Sequence, residues 1–385
     1  MLAATVRVTH DLDLAEECVQ DAFARALTTW STQGVPRSPG AWLTTVARNR
    51  AMDLLRREAT LRRKLPLLLM DEGGVGPEPP PDDRLSLVFT CCHPALSLEA
   101  QVALTLRLLC GLSTSEVAHA FLVSEPTMAA RITRAKRKIT RAHIPYRVPD
   151  AAELPARVDA VLAVVHLLFT TGHTAPAGPM LVRHDLVVRA LDLGRLLHAL
   201  LPGPEVAGLL ALVLLTDARR ATRVSPDGRL LLLAEQDRSQ WDRPAIVEGL
   251  ALVRTALRSG PPGRYALQAA IAAVHADALS WEQTDWNEIA VLYGLLMQRW
   301  PSPVVALNRA VAIGLADGPQ AGLDALDPLG SEPALATYAY LPAARADFLR
   351  RLGRVPEART AYGEAVLLTG NEVERAFLAS RLAEL

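Results

Sequence analysis

The sequence predicts an all-α protein, and three observations carry that expectation. Apolar residues recur every three to four positions through most of the 385 residues, helix-capping residues stand at the starts of these runs, and only "RVSPDGRLLLL", around Asp227-Gly228, reads as a hairpin. Half of the residues are hydrophobic, enough to build cores, and the length points to two or three domains. No uninterrupted apolar run reaches about 18 residues, and the start lacks a basic segment followed by an apolar stretch and a cleavage site. A cytoplasmic location with no membrane partner is therefore expected. Cys18, Cys91, Cys92 and Cys110 are too few and too scattered for a disulfide framework and read as reduced, buried thiols.

The elements follow in order. Residues 13 to 29 place Leu14, Ala15, Cys18, Val19, Ala22 and Ala26 at a helical period and turn Glu16, Glu17, Gln20 and Asp21 outward, which gives one acidic face. "GVPRSPG" (34 to 40) is a turn. The helical period resumes through Leu43, Val46, Ala47, Leu54 and Leu55, whose other face carries Asn49, Asp53, Arg56 and Arg57. That edge gathers polar groups able to touch phosphates and bases. Residues 65 to 83 hold five carboxylates, no cation, five prolines and three glycines, so a linker without regular structure is expected. "SLEAQVALTLRLLCG" is a helix opened by Ser97 and closed by Gly111, and Ser113 with Glu116 forms the capping box of a short helix. The turn "LVS" follows, and Ser124 caps a last helix with Pro126 in its first turn.

Charge is balanced overall, at 41 basic and 41 acidic side chains, but unevenly placed. Residues 1 to 149 carry 19 basic and 15 acidic groups, and 150 to 385 carry 22 and 26. The basic excess sits at 48 to 64 and at 131 to 141, where Arg131, Arg134, Lys136, Arg137, Lys138 and Arg141 meet no acidic residue. An isolated basic helix is most often a solvated surface. Preceded by a capped helix and a tight turn, it has helix-turn-helix spacing, and its first turns (Ser124, Glu125, Thr127, Met128 and Arg131) would face base edges while the later cations reach phosphates. Helix-turn-helix alone leaves repressors, activators and initiation factors open.

"DLDLAEECVQDAFARAL", "SPGAWLTTVARNRAMDLLRRE", the acidic linker and "GLSTSEVAHAFLVSEPTMAARITRAKRKI" together resemble regions 2 and 4 of bacterial RNA polymerase sigma factors of the extracytoplasmic-function group. "LVFTCCHPALSLEAQVALTLRLL", "AEQDRSQWDR" and the chain's last 80 residues resemble the subgroup with a long C-terminal extension bearing tetratricopeptide repeats. The resemblance implies region 2 at 1–64, the linker at 65–83, region 4 at 84–145 and a helical extension at 150–385, with repeat-like helix pairs near 303–385. It implies that Asp13, Glu16, Glu17, Gln20, Asp21 and Phe23 contact the clamp helices of the polymerase largest subunit, with region 4 at the flap. Arg48, Asn49, Asp53, Arg56 and Arg57 would open and read the −10 element, and Ser124 to Lys138 the −35 element. Promoter DNA and core polymerase are the implied partners, and a peptide or a neighbouring part of the same chain is the candidate partner of the repeats. Pro126, Ala129 and Ala130 depart from the Gly, Lys and Ser common in the family's recognition helix, so no promoter sequence is carried over. Only about ten residues precede "DLDLAEE", so the first helix of region 2 is expected to be short, as it would be behind a start codon assigned too far downstream.

Cys91-Cys92-His93 reads as helix packing, since adjacent cysteines do not readily share a tetrahedral site. No metal or cofactor is expected. Asp217, Arg219, Arg220, Asp237, Arg238, Ser239, Asp242 and Arg243 bring charge onto an apolar domain, either as buried ion pairs or as a ligand or partner pocket. No phosphate-cradling glycine loop, paired acid and base or nucleophile elbow marks an enzyme. The rivals are an interaction scaffold with a degenerate N-terminal half and a ligand sensor in the C-terminal half.

Overall fold

The computed structural model describes residues 1–63, 83–121 and 123–385, with the side chains of 57–63, 119 and 120 outside the description. The acidic Pro/Gly stretch, apart from Asp83, and the Arg57 side chain therefore lie outside the described residues. Among these residues the chain forms 18 α-helices and no β-strand, and it divides into two compact units, Met1–Val164 and Val165–Leu385.

Unit 1 holds α1 (Leu2–Thr9), α2 (Leu12–Gln33), α3 (Pro39–Arg63), α4 (Asp83–Cys91), α5 (Leu98–Leu104), α6 (Thr114–Ala120), α7 (Glu125–Arg141) and the first part of α8 (Leu154–His173). α1 has eight residues, yet it buries Ala3 and Val6 and packs on α2, α3 and α4. Asp11 caps α2 by accepting from the Leu14 amide at 2.8 Å. Alanines at 22, 26 and 47 let α2 and α3 approach closely around Leu43, and the Trp30 and Trp42 rings close the end of that core 5.5 Å apart. Ser97 caps α5, which runs into a π-helical turn at Thr105–Leu109 before Gly111 ends it at φ +74°. The capping box forms as the sequence expects: Ser113 N donates to Glu116 Oε2 at 2.7 Å, and Glu116 N to Ser113 Oγ at 3.1 Å. Cys91 and Cys92 are buried, and burial pushes the Cys92 thiol up to about 12.

Unit 2 holds the rest of α8, then α9 (His184–Leu200), α10 (Pro204–Asp217), α11 (Arg243–Arg258), α12 (Arg264–Asp277), α13 (Trp286–Arg299), α14 (Pro303–Ala316), α15 (Pro319–Leu326), α16 (Tyr340–Arg351), α17 (Val355–Leu368) and α18 (Glu372–Ala383). α10 is apolar almost all round and is surrounded by α9, α11 and α12, as such a helix must be. The hairpin at Asp227-Gly228 is a turn closed by one antiparallel bridge, Val224 to Leu230. Its leucines form no ladder, because a lone two-stranded ribbon gains little. α14/α15 and α16/α17 are helix pairs joined through Gly318 and Gly353, both at positive φ that favours glycine. The Phe348 ring fits against Gly314 and Gly322, where any Cβ would collide with it, and so links the two pairs.

His166 lies against Tyr265 with ring centroids 5.5 Å apart, and burial, aided by the Arg264 charge, pushes its pKa down to about 4. Its unfolded pKa is near 6.5, so the unfolded chain binds the extra proton first as pH falls. The neutral ring's contribution, on the order of 3 kcal/mol, is complete above about pH 6.5 and is lost on the way down to about pH 4. His166→Phe is expected to flatten the acid limb of a thermal stability profile, and an unchanged limb would show that other groups govern it.

Candidate nucleic-acid interface

The sequence of α7 divides it lengthwise. Met128, Ile132, Ala135 and Ile139 are buried and fix the helix against α5 and α6. Ser124, Thr127, Arg134, Lys138 and Arg141 are exposed at spacings of three and four, with half-buried Arg131 in the same row, its guanidinium 5.7 Å from the Phe121 ring centroid. Ser124 accepts from the Thr127 amide at 3.4 Å, so the cap expected from sequence is present. Arg137 is exposed beside this row, and Glu125 opens it. The result is a ridge with a polar, neutral-to-acidic first turn and cations behind it, the order a groove-reading helix needs.

Two expectations for α7 are corrected. Met128, expected at a base edge, is fully buried because it falls on the apolar stripe. Lys136, expected among the phosphate-facing cations, is 8% exposed and hydrogen-bonds Asp13, at 2.7 Å, and Glu16.

On α3, Arg48, Asn49, Asp53 and Arg56 are exposed. Asn49, Asp53 and Arg56, at spacings of four and three, form one edge, and exposed Met52 lies beside it. A methionine open to solvent within a polar edge is a residue that sequence reading passed over. Arg50 holds the second helix in place through Asp21 at 2.7 Å.

On α2, Glu17, Gln20 and Phe23 are exposed, and Asp13 is open on one side. Glu16 is not open: Lys136 and Arg107 both bond it, Arg107 at 3.0 Å. Phe23 (51% exposed) and Leu27 (79%) stand four residues apart, an apolar pair that continues the acidic face. Leu27 was also missed, although the i, i+4 spacing from Phe23 was readable.

In unit 2 the polar cluster does not form one site. Asp217 and Arg220 pair at 3.0 Å, and Arg220 also meets His184 Nδ1 at 2.9 Å. Asp237 accepts from the Ser239 amide (2.9 Å) and hydroxyl (2.6 Å), while Asp242 caps α11 through the Ala245 amide (3.0 Å). Arg238 donates to the carbonyls of His275 (2.9 Å) and Ala278 (2.6 Å) at the end of α12 and lies over Trp241. Burial, with Arg223 beside it, pushes the Arg219 guanidinium down to about 10. Arg243 is exposed. Most of this charge therefore satisfies turns and helix ends, and only Asp217–Arg220 is an ion pair of the kind expected. Asn371 was not anticipated: it is buried, donates to the Ala175 (3.0 Å) and Met180 (2.9 Å) carbonyls, and caps α18.

A separate cavity of about 570 Å³ in unit 2 is lined by Trp281, Trp286, Tyr338, Tyr340, Phe348 and Phe377, among others. In its wall the Tyr340 hydroxyl donates to Glu374 at 2.5 Å.

A capped basic helix, with a second polar helix edge in the same unit, is the arrangement expected of a DNA-binding transcription protein. Residues 2–60 match sigma-70 region 2 and residues 86–139 match sigma-70 region 4, while 157–257 match a family of unknown function, DUF6596. An uncharacterized protein of Rhizobium meliloti (strain 1021) is 43% identical over the whole chain and 93% of its own length. The ferric citrate uptake sigma factor FecI of Escherichia coli (strain K12) is 32% identical over 31% of this chain and 71% of its own. No solved structure matches the chain significantly. The chain belongs to the sigma-70 family, non-enzymatic transcription initiation factors whose partners are core RNA polymerase and promoter DNA, and it carries a C-terminal DUF6596 extension.

Proposed function

We propose that the chain is a sigma factor of the extracytoplasmic-function type, acting in the cytoplasm, that directs core polymerase to −35 and −10 elements. The row of Ser124, Thr127, Arg131, Arg134 and Lys138 on α7 carries this reading, since it combines a neutral first turn for base edges with cations for the flanking phosphates. The exposed edge of α3 suits a melted −10 strand: the Asn49 amide can both donate to and accept from an extruded base, and Arg48 and Arg56 offer charge to the backbone. α2 supplies the face for the clamp helices, and region 4 that for the flap. The acidic linker at 65–83 has the charge of RNA and is assigned to the RNA path. The C-terminal unit, with its repeat-like helix pairs, acts as a built-in regulatory domain, and its aromatic-lined cavity suits an apolar segment of a peptide or ligand.

Run-off transcription with core polymerase and DNA flanking its own gene tests the assignment. Arg131→Ala is expected to reduce −35 discrimination by about 1 to 3 kcal/mol if it pairs with a base in the bidentate manner. Lys138→Ala should weaken every promoter alike and lower the salt slope by about one. Identical promoter profiles for the two variants would sink this division of labour.

A further inference from the structure

The cavity of unit 2 is lined by four charged side chains among the described residues, Asp347, Arg351, Glu374 and Arg381, and three of them are already matched. Asp347 pairs with Arg350 and Arg351, both at 2.7 Å, and Arg381 with Glu384 at 3.1 Å and Glu235 at 3.6 Å. Glu374 is the exception. It is half-buried, its Oε1 accepts from the Tyr340 hydroxyl at 2.5 Å, and its Oε2 accepts from no group and forms no ion pair among the described residues. Burial raises its pKa above the ordinary glutamate value, and the Tyr340 hydrogen bond and the Arg223 charge oppose that without cancelling it. Arg223 is engaged elsewhere, donating to the His173 carbonyl and to the Thr174 hydroxyl at 2.9 Å. A carboxylate drawn out of water with no cation bonded to it is costly. The aromatic rings of the cavity divide in the same way. Arg351 lies over Phe348, 5.9 Å from its centroid, and Arg381 over Phe377 at 5.3 Å. Trp281 and Trp286, with centroids 4.7 Å apart, and Tyr338 and Tyr340, 5.1 Å apart, carry no cation among the described residues. His275, 5.2 Å from the Trp286 ring, supplies none, since burial pushes its pKa down to about 3. Burial and then the Glu374 charge raise the pKa of both tyrosines, so both keep their protons and both adjoin that carboxylate.

We propose that this cavity is a binding site for a small organic ammonium ion with an apolar body. An N–H of the ammonium donates to Glu374 Oε2, the charge is held against the faces of Tyr338 and Tyr340, and the body packs on Trp281, Trp286 and the leucines of the lining. Each partner of the ligand is then a group that the fold leaves uncompensated. An anion would meet Glu374, and a neutral body of the same shape would leave that carboxylate unmatched. The volume of about 570 Å³ suits one small molecule, since such sites span about 300 to 1,000 Å³. Tyr340 is 45% exposed and Asn308, another lining residue, is exposed as well, so a solute can reach the cavity from outside. The proposal deepens the reading of this cavity given above. Under the sigma assignment it makes the C-terminal unit a receptor for an amine, but the binding itself does not depend on that assignment.

The test is isothermal titration calorimetry on the full chain at neutral pH with three probes of one shape: 4-phenylbutylamine, 4-phenylbutanol and 5-phenylpentanoate. The amine should bind about tenfold or more tightly than the alcohol, and the carboxylate more weakly than the alcohol. Glu374→Gln keeps the side-chain volume and an acceptor for the Tyr340 hydroxyl. It should leave the alcohol's affinity unchanged and bring the amine to within about twofold of it. Should that variant fail to fold, Asn308→Trp, which narrows the cavity from an exposed position, is read in its place and should weaken the amine about tenfold. No binding of the amine, equal affinities for amine and alcohol in the parent, or an amine preference that survives in the folded variant overturns the proposal. Run-off transcription is scored separately: a chain that binds the amine as described but initiates at no promoter keeps this site and loses the sigma assignment instead.

Discussion

Affinity for core RNA polymerase is expected to fall at least tenfold when Phe23 and Leu27 are both replaced by serine. Leu27 projects from α2 into solvent over most of its surface and Phe23 over about half, and they flank Glu17 and Gln20 on the face assigned to polymerase. Burying each on a partner is worth about 1.5 to 3 kcal/mol, and ordering the side chains and paying the association cost reduces what appears as affinity. Since Leu27 is mostly and Phe23 about half exposed in the free chain, the double variant should melt only slightly below the parent. Glu17→Lys is the electrostatic companion and should act mainly on the association rate and its salt dependence. Asp21 is a poorer choice for charge reversal, because its carboxylate holds Arg50 at 2.7 Å and reversing it would damage the α2–α3 pairing itself. Undiminished binding by the folded serine double variant would remove this face from the docking surface.

What the sequence disclosed, and what it hid, follows from the range of the interactions concerned. Caps at Ser97, Ser113 and Ser124 act over three residues, and each is found where its spacing places it. The buried row of α7 was readable as well: Met128, Ile132, Ala135 and Ile139 repeat at four, three and four, so placing Met128 at a base edge weighed its first-turn position above its phase. Lys136 is different. Its ion-pair partners lie 120 and 123 residues away on a helix whose own pattern reads as an open acidic face, and no local period encodes that meeting. Two aspartates of the charged cluster in unit 2 show the opposite error, a long-range reading given to short-range chemistry, whereas Arg238 does reach across to the end of α12. Asp237 and Asp242 satisfy amides two and three residues on, as aspartate commonly does before a turn or helix.

Gly208→Val is expected to prevent unit 2 from folding, and Gly208→Ala to lower its melting temperature, although alanine is the better helix former. A Cβ at position 208 would stand 2.6 Å from the Ala266 nitrogen and 2.8 Å from its Cα, both backbone atoms that no rotamer change can move aside. α12 cannot slide away cheaply either. Its first amides are held by Glu205 of α10, which accepts from Tyr265 N at 2.8 Å and Ala266 N at 3.2 Å, so separating the helices would unmake the bonds that cap α12. Overpacking of this kind costs about 1 to 3 kcal/mol for one methyl group and more for a branched side chain, against a helix-propensity gain of about 0.5 to 1 kcal/mol. For alanine the net loss is up to about 2.5 kcal/mol, a Tm lower by up to about 5 to 10 °C for a unit of this size. Gly294 on α13 is the control, since the nearest atom to its added Cβ is Arg309 Nε at 3.7 Å, an ordinary contact. Propensity alone predicts that both alanine variants stabilise, whereas the close approach of α10 and α12 predicts opposite signs, with Gly294→Ala neutral or stabilising. Thermal melts of the two full-length variants decide between them, and a Gly208→Ala protein that melts at or above the parent would mean that the helices do not pack backbone to backbone.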